Sequence, residues 1–440
     1  RYETSSVAIS FDSRIKSDLF AREAARVLAG NGIQVHIFTE LNPTPVLSFA
    51  VRQLGCQGGI MVTASHNPSK YNGYKCYGPD GCQMTDNDAA DVTRFIRKVD
   101  LFGGVKKADY MEAVVAGGIS EIPAKLVEDF LACVAGQQVN QGICKHTPLS
   151  VVYTPLNGTG NKPVREILHR IGVKSVSVVP EQELPDGNFP TAPYPNPEIR
   201  QAFECAIKLA ETVRPDLLLA TDPDCDRVGI AIAQDGDYRL MSGNEMGCML
   251  LDYILKSKSA AGTLPENPTV VKTIVTSDLA ARIAEKYGCQ LIEVLTGFKY
   301  IGEQITLLEK AGNEDRYVFG FEESYGYLSG GYVRDKDGVV ASMLVCEMAA
   351  YYKSQGKTLL DVMNDLYKEH GVYQHTMINA EFEGAQGMET MKALMSGLRE
   401  NRPTEIAGLR VVLFSDYMNS IAVDIQSGQT NEIHLPKSNV

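Results

Sequence analysis

Three times along the chain, runs of strand length rich in Val, Ile and Leu alternate with Ala- and Leu-rich amphipathic runs of helix length. That alternation leaves few folds open. The first unit reads SVAISFD, SDLFAREAARVLAGNG, IQVHIFTE, TPVLSFAVRQLGC and GGIMVTAS from Ser6 to Ser65. The second runs from LSVVYTPLNGTG at Leu149 through the helical IRQAFECAIKLAETV to DLLLATD, ending at Asp222. The third runs from TVVKTIVTS at Thr269 through DLAARIAEKYG, CQLIEVL and FKYIGEQITLLEKAG to YVFGFEES at Ser324. Strands joined through helices pair in parallel, so each unit predicts its own sheet covered by helices. The fold class is therefore α/β: three successive α/β domains with mostly parallel, mixed sheets. After Tyr373 the pattern turns to strands mixed with one helix, which predicts a partial C-terminal α+β domain. The expected divisions are 1–140, 141–260, 261–373 and 374–440, with AGQQVNQGICKHTP and KSKSAAGTLPENP as linkers.

Composition removes several functional classes. The 440 residues are 44% hydrophobic, enough for more than one core, yet no apolar run approaches the ~20 residues a membrane span needs. A formal charge of −12 argues against nucleic acid as the main partner. Ten cysteines stand singly without metal-like spacing and read as reduced. RYETSSVAIS carries no secretory signal, so a cytoplasmic setting is the default.

In open α/β sheets ligands gather at the carboxyl ends of strands, which directs the search to three loops. TDPDCDR places Asp222, Asp224 and Asp226 at alternate positions directly after an apolar strand. Such carboxylates can converge on a hard cation, magnesium or calcium, although a solvated acidic turn is the plain alternative. An EF-hand is excluded, because Arg227 and Ala233 stand where that loop needs Gly and Glu. In MVTASHNPSKYNGYK, Ser65 is either a helix cap or, beside the acidic loop, a nucleophile completing the cation's coordination. A serine phosphate there would need cations, and Arg14, Lys75 and Arg227 are available. GFEESYGY offers Glu322 and Ser324, acceptors for sugar hydroxyls or a helix-terminal acidic cap. VRDKDG, by itself a charged turn, adds Arg334 and Lys336.

Together these loops resemble the α-D-phosphohexomutase superfamily, in order and over nearly the whole chain. TASHNP is similar to its phosphoserine loop, DPDCDR to its magnesium loop and GFEESYG to its sugar-binding loop. The resemblance implies that Ser65 is phosphorylated in the active enzyme and that Ser65, Asp222, Asp224 and Asp226 hold Mg2+. It implies sugar contacts from Glu322, Ser324 and Arg334, and a specificity loop at Thr296, Gly297, Phe298 and Lys299. Lys75 and Lys336 match lysines for proton transfer or charge neutralisation, Arg14 and Arg227 match active-site arginines, and His66 matches the histidine beside the phosphoserine. Ser324 is followed by Tyr325 and Gly326 where the phosphomannomutase/phosphoglucomutase branch has histidine, which points toward phosphoglucomutase-like or phosphopentomutase-like branches. The family's distal-phosphate loop has no counterpart before Val440, so an incomplete fourth domain is expected.

The function so implied is a phosphosugar mutase acting between the 1- and 6-positions of a hexose phosphate, glucose or mannose. A phosphoserine and a sugar 1,6-bisphosphate, also the activator, are its intermediates. Alternatives are a phosphopentomutase, a glucose 1,6-bisphosphate synthase, a metal-dependent phosphatase and a non-catalytic sugar-phosphate sensor. Sugar phosphates are the expected partners. The number of assembled chains is not encoded in any motif.

Overall fold

Strand-forming residues in the first unit pair as β1 (Ser6–Phe11), β2 (Gln34–Ile37), β3 (Gly58–Val62), β4 (Tyr74–Tyr77) and β5 (Ile119–Glu121). The computed structural model describes residues 5–100, 102–375, 382 and 384–435. The second sheet contains β6 (Ser150–Thr154), β7 (Ser175–Val178), β8 (Leu217–Thr221), β9 (Val228–Gln234) and β10 (Asp237–Met241). The third contains β11 (Thr269–Thr273), β12 (Gln290–Val294), β13 (Tyr317–Glu322) and β14 (Gly326–Ser329).

One topology is used three times. The sheets are ordered β4-β3-β1-β2-β5, β10-β9-β8-β6-β7 and β12-β11-β13-β14. In each, the first strand is flanked by the second and third in parallel, and the third is followed by an antiparallel return strand: β4 on β3, β9 on β8, β14 on β13. The chain reverses its direction of winding between the first and third strands, where a ligand crevice opens. The loops carrying Ser65, the three aspartates and Ser324 each join a third strand to its return strand. Sequence periodicity exposes the parallel strands, which are almost wholly buried in β3, β8 and β13. The short return strand β4, YKCY, is half exposed and carries no apolar run to betray it.

Buried apolar side chains unify each layer. Ile9, Val35, Ile60 and Val62 meet Ala21 and Ala25 of helix Ser17–Gly30. Val152, Leu218 and Ala231 meet Phe203, Ala206 and Ala210 on the second sheet. Helix Gly243–Ala260 packs against β13 and helix Leu279–Lys286, so its packing joins it to the third sheet.

Close approach at the second crevice fixes two glycines. A Cβ on Gly158 would lie 2.4 Å from the Cα of Pro223, and one on Gly160 would lie 2.5 Å from Tyr153 Oη. Because the first obstacle is backbone of the aspartate loop, Gly158→Ala is expected to destabilise by roughly 1–3 kcal/mol. A melting temperature equal to that of the parent would contradict this packing.

The residues to Tyr373 form one compact unit and those from Gln374 another. The second contains helix Gly384–Glu400, the paired strands Glu405–Ile406 and Leu409–Arg410, and a meander of Leu413–Asp416, Ile421–Asp424 and Thr430–Glu432. Its mixed α and β character follows the sequence expectation. The strand expected around TMINAE and the end of the chain at PKSNV lie outside the described residues. Asp416 ties helix to meander, accepting from Arg399 Nε at 3.1 Å and Asn419 Nδ2 at 2.6 Å. Among the described residues, no helix is long and apolar enough to cross a membrane.

Candidate active site

The register Phe11↔Val62 ends β1 and β3 side by side, which sets Asp12 next to Thr63. Thr63 Oγ1 donates to Asp12 Oδ2 at 2.7 Å and accepts from the amide of Ser65 at 2.8 Å. Ser65 takes a left-handed conformation, φ 52°, at a cost of ~1–2 kcal/mol for a non-glycine residue. Cys225 and Tyr325 do the same in the other two loops, with φ 51° and 65°. Strained backbone therefore recurs at all three crevices, where surrounding bonds must hold it.

Arg14 supplies much of that restraint. Its Nη1 donates to the carbonyls of Pro68 and Tyr71 at 3.0 and 2.9 Å, and its Nη2 to Ser65 at 2.6 Å and to Asn67. The expected phosphate-facing role of Arg14 changes accordingly. This buried guanidinium stands beneath the serine loop, 3.4 Å from Asp12 and 5.1 Å from the Phe189 ring, and shapes the loop.

Ser65 Oγ reaches across to the second unit and lies 3.0 Å from Asp222 Oδ2. Asp222, Asp224 and Asp226 are fully buried, and each offers an oxygen within 4.8 Å of the others. Their loop is bound on every side by backbone. Thr44 N donates to Asp224 O at 2.9 Å, Thr159 N to Pro223 O at 2.8 Å and Gly338 N to Cys225 O at 3.1 Å, while Val228 N donates to Tyr325 O at 3.1 Å. All three α/β units thus grip the aspartate loop.

Three cations face the three carboxylates. Lys75 Nζ lies 2.9 Å from Asp224 Oδ2 and 3.2 Å from Asp226 Oδ2, and Lys336 Nζ lies 2.9 Å from Asp226 Oδ2. Arg227 pairs with Glu198 at 2.6 Å and has its Nε 4.0 Å from Asp226. Burial pushes Asp222 well above the usual carboxylate range, and Asp224 beside it adds to the rise. Burial acts on Asp224 in the same direction, but Lys75 and other donors hold it below that range. Burial likewise works against both ammonium groups, yet the adjacent aspartates keep Lys75 and Lys336 above the ordinary lysine value.

Oδ1 of Asp224 and Oδ1 of Asp226 are buried without a hydrogen-bond partner. A buried carboxylate oxygen left unpaired costs free energy, whereas a divalent cation satisfies it directly. The donor set is all oxygen, which fits Mg2+. A divalent cation and a serine phosphate also carry nearly cancelling charges, so the pair would leave the local balance of three acids and three bases unchanged.

His66 Nδ1 sits 3.1 Å from Ser65 Oγ, and its ring meets Tyr194 edge-on at 5.8 Å. Burial, helped by Arg227, brings its pKa down to about 3, so at neutral pH it is an uncharged hydrogen-bonding group. Glu322 is buried near Lys336 and Arg227, with its pKa raised by burial. A Cβ on Gly326 would lie 2.6 Å from Lys336 Cδ and 2.9 Å from Glu322 Oε1, which explains glycine at this position. Ser324 is half-buried in the same loop.

The remaining expected residues divide. Phe298 is buried with Lys336 Nζ 6.0 Å from its ring centre, while Thr296 is exposed. Gly297, φ 117°, starts helix Phe298–Lys310. Lys299 reaches Asp86 at 2.7 Å. Arg334 departs from expectation: only 1% exposed, it donates to Thr306 Oγ1, the carbonyls of Gly331 and Val333, and Glu309. With its donors committed inside the third unit, it has no free group for a sugar. Sequence reading passed over Asp12, Thr44, Glu198 and the Tyr77–Asp335 bond of 2.7 Å, which braces the residue before Lys336.

Comparison with known proteins finds the same three α/β layers. Residues 1–102, 128–236 and 242–370 match the phosphoglucomutase/phosphomannomutase alpha/beta/alpha domain families I, II and III in turn. A phosphoglucomutase of Staphylococcus epidermidis is 36% identical over all of this chain and 80% of its own length. The chain belongs to the α-D-phosphohexomutase superfamily. A Staphylococcus aureus phosphoglucomutase is likewise 36% identical, over 99% of this chain and 77% of its own. Among solved structures, a Thermus thermophilus protein provisionally named a phosphomannomutase superposes with a TM-score of 0.68 at 25% identity, covering 83% of this chain and 75% of that one. The open form of Paramecium parafusin shares the fold at TM-score 0.67 and 18% identity, over 98% and 77% of the two chains. As a phosphohexomutase the chain is a mutase, an isomerase of carbohydrate metabolism.

Proposed function

We propose that the chain interconverts the 1- and 6-phosphates of a hexose, glucose before mannose, by way of phospho-Ser65 and a sugar 1,6-bisphosphate. The observation that carries this reading is the 3.0 Å approach of Ser65 Oγ to Asp222, beside carboxylate oxygens that lack partners. The preference for glucose rests on the Staphylococcus relatives, which are phosphoglucomutases.

In this reading Asp222, Asp224 and Asp226 hold Mg2+, which supplies Lewis-acid polarisation of the transferring phosphoryl group. Ser65 presents its phosphate at the mouth of the first crevice, held there by Thr63 and by Arg14 under the loop. Glu322 and Ser324 bind sugar hydroxyls and align the acceptor oxygen with phosphorus. Once released from the aspartates that keep it protonated, Lys75 or Lys336 yields its ammonium proton to solvent and the neutral amine then takes the acceptor's proton, while the other lysine with Arg227 offsets charge on the phosphoryl oxygens. Return transfer from the other end of the bisphosphate gives the isomer and restores phospho-Ser65. The free bisphosphate primes unphosphorylated enzyme by the same half-reaction. Thr296 to Lys299, whose Phe298 ring lies 6.0 Å from Lys336 Nζ, discriminate among sugars.

Phosphorus NMR tests the reading directly, with glucose 1-phosphate, mannose 1-phosphate or ribose 1-phosphate plus a trace of the matching bisphosphate. The expected result is conversion of glucose 1-phosphate to glucose 6-phosphate, more slowly for mannose. Release of inorganic phosphate instead would make the protein a phosphatase, and binding with no exchange would make it a sensor.

A further inference from the structure

Asp224 has two carboxylate oxygens in different circumstances. Oδ1 has no partner, whereas Oδ2 accepts from Lys75 at 2.9 Å and from Thr44 Oγ1 at 2.8 Å. Thr44 belongs to neither the serine loop nor the aspartate loop. It is the first residue of helix Thr44–Gln53 in the first unit, and it is fully buried. Its own amide donates to Asp224 O at 2.9 Å, so one residue grips the same aspartate by main chain and side chain.

Those two bonds fix both the position of the Asp224 backbone and the rotation of its carboxylate. A carboxylate turns about its last bond at little cost unless one oxygen is tied. Lys75 cannot tie it alone, because its ammonium is shared with Asp226 and carries no directional preference comparable to a hydroxyl at a fixed helix start. We infer that Thr44 is a positioning residue for the cation site, turning Asp224 so that Oδ1 faces the cation while docking the aspartate loop against the first unit. The inference rests on the metal reading above and adds a residue that acts through Asp224 without touching the cation. Outer-shell partners of this kind set metal affinity by ~10–100-fold.

The test uses the full chain and Mn2+ as the probe, with binding followed by electron paramagnetic resonance and melting measured in EDTA. Thr44→Val keeps the shape and removes the hydroxyl. Its Mn2+ affinity is expected to fall about tenfold or more, with a melting temperature in EDTA lowered by no more than the loss of one buried hydrogen bond and an unchanged KM for sugar phosphate at saturating metal. Thr44→Ser should restore affinity, because the hydroxyl returns. If valine disturbs folding, Thr44→Ala against Thr44→Ser makes the same comparison. Parent-like Mn2+ binding in Thr44→Val or Thr44→Ala would overturn the inference, as would a loss that serine does not repair. Failure of the unaltered protein to bind Mn2+, or unchanged binding in Asp224→Asn, would instead refute the metal reading itself.

Discussion

Ser65→Ala is expected to abolish covalent phosphorylation and to lower mutase turnover by roughly four orders of magnitude or more, as loss of a nucleophile does elsewhere. The two threonine hydroxyls bonded within the site are already committed. Thr44 Oγ1 is bound to Asp224, and Thr63 Oγ1 is held between Asp12 and the Ser65 amide. Ser65→Thr provides a sharper comparison, because it keeps a hydroxyl but places a β-branched residue at φ 52°. That conformation is strongly disfavoured for threonine, so the loop would shift and the hydroxyl would leave the aspartates. Both variants should fail together, although only one lacks the oxygen. Intact-mass measurement after incubation with glucose 1,6-bisphosphate checks the first step, and coupled turnover checks the whole cycle. A phosphate adduct retained by Ser65→Ala would place the nucleophile elsewhere.

What the sequence displayed was local. Ser65 and the three aspartates follow, and Glu322 ends, strands whose apolar runs stand out, and a loop at a strand's carboxyl end is a short, readable object. The three parallel layers were legible for the same reason. Return strands such as β4 escaped, since Tyr74–Tyr77 has neither burial on both faces nor a clean alternation. Equally hidden were bonds that join distant segments. Thr44 meets Asp224 across 180 positions, and Tyr77 meets Asp335 across 258. No periodicity encodes such pairs, because they arise when separate layers dock. Arg334 shows the converse error: it sits two residues before Lys336 in one charged turn, yet Lys336 joins Asp226 while Arg334 turns to Glu309. Charge and proximity in sequence favoured both equally, and only packing separates them.

Removing the cation is the second large effect. EDTA is expected to reduce phosphoryl transfer by at least ~10³-fold, with recovery on adding Mg2+, because charge developing on the phosphoryl oxygens would lose its strongest stabiliser. Stability should respond as well. The unpartnered Oδ1 atoms of Asp224 and Asp226 are exposed to water in the unfolded chain and are satisfied in the folded chain only when a cation is bound. Mg2+ at about 100 times its dissociation constant then stabilises by ~2.7 kcal/mol, so the melting temperature rises with added Mg2+. Asp224→Asn separates the two effects of the carboxylate. The amide can still accept from Thr44, but it removes the charge that Lys75 neutralises and weakens the cation's seat, so the Mg2+-dependent rise should shrink sharply while the fold persists. Activity preserved in EDTA, or a melting temperature of the parent protein indifferent to Mg2+, would mean that Lys75 and Lys336 are the permanent counter-ions of these aspartates. The paired oxygens would then be the functional ones, and phosphoryl transfer would have to proceed on lysine charge alone.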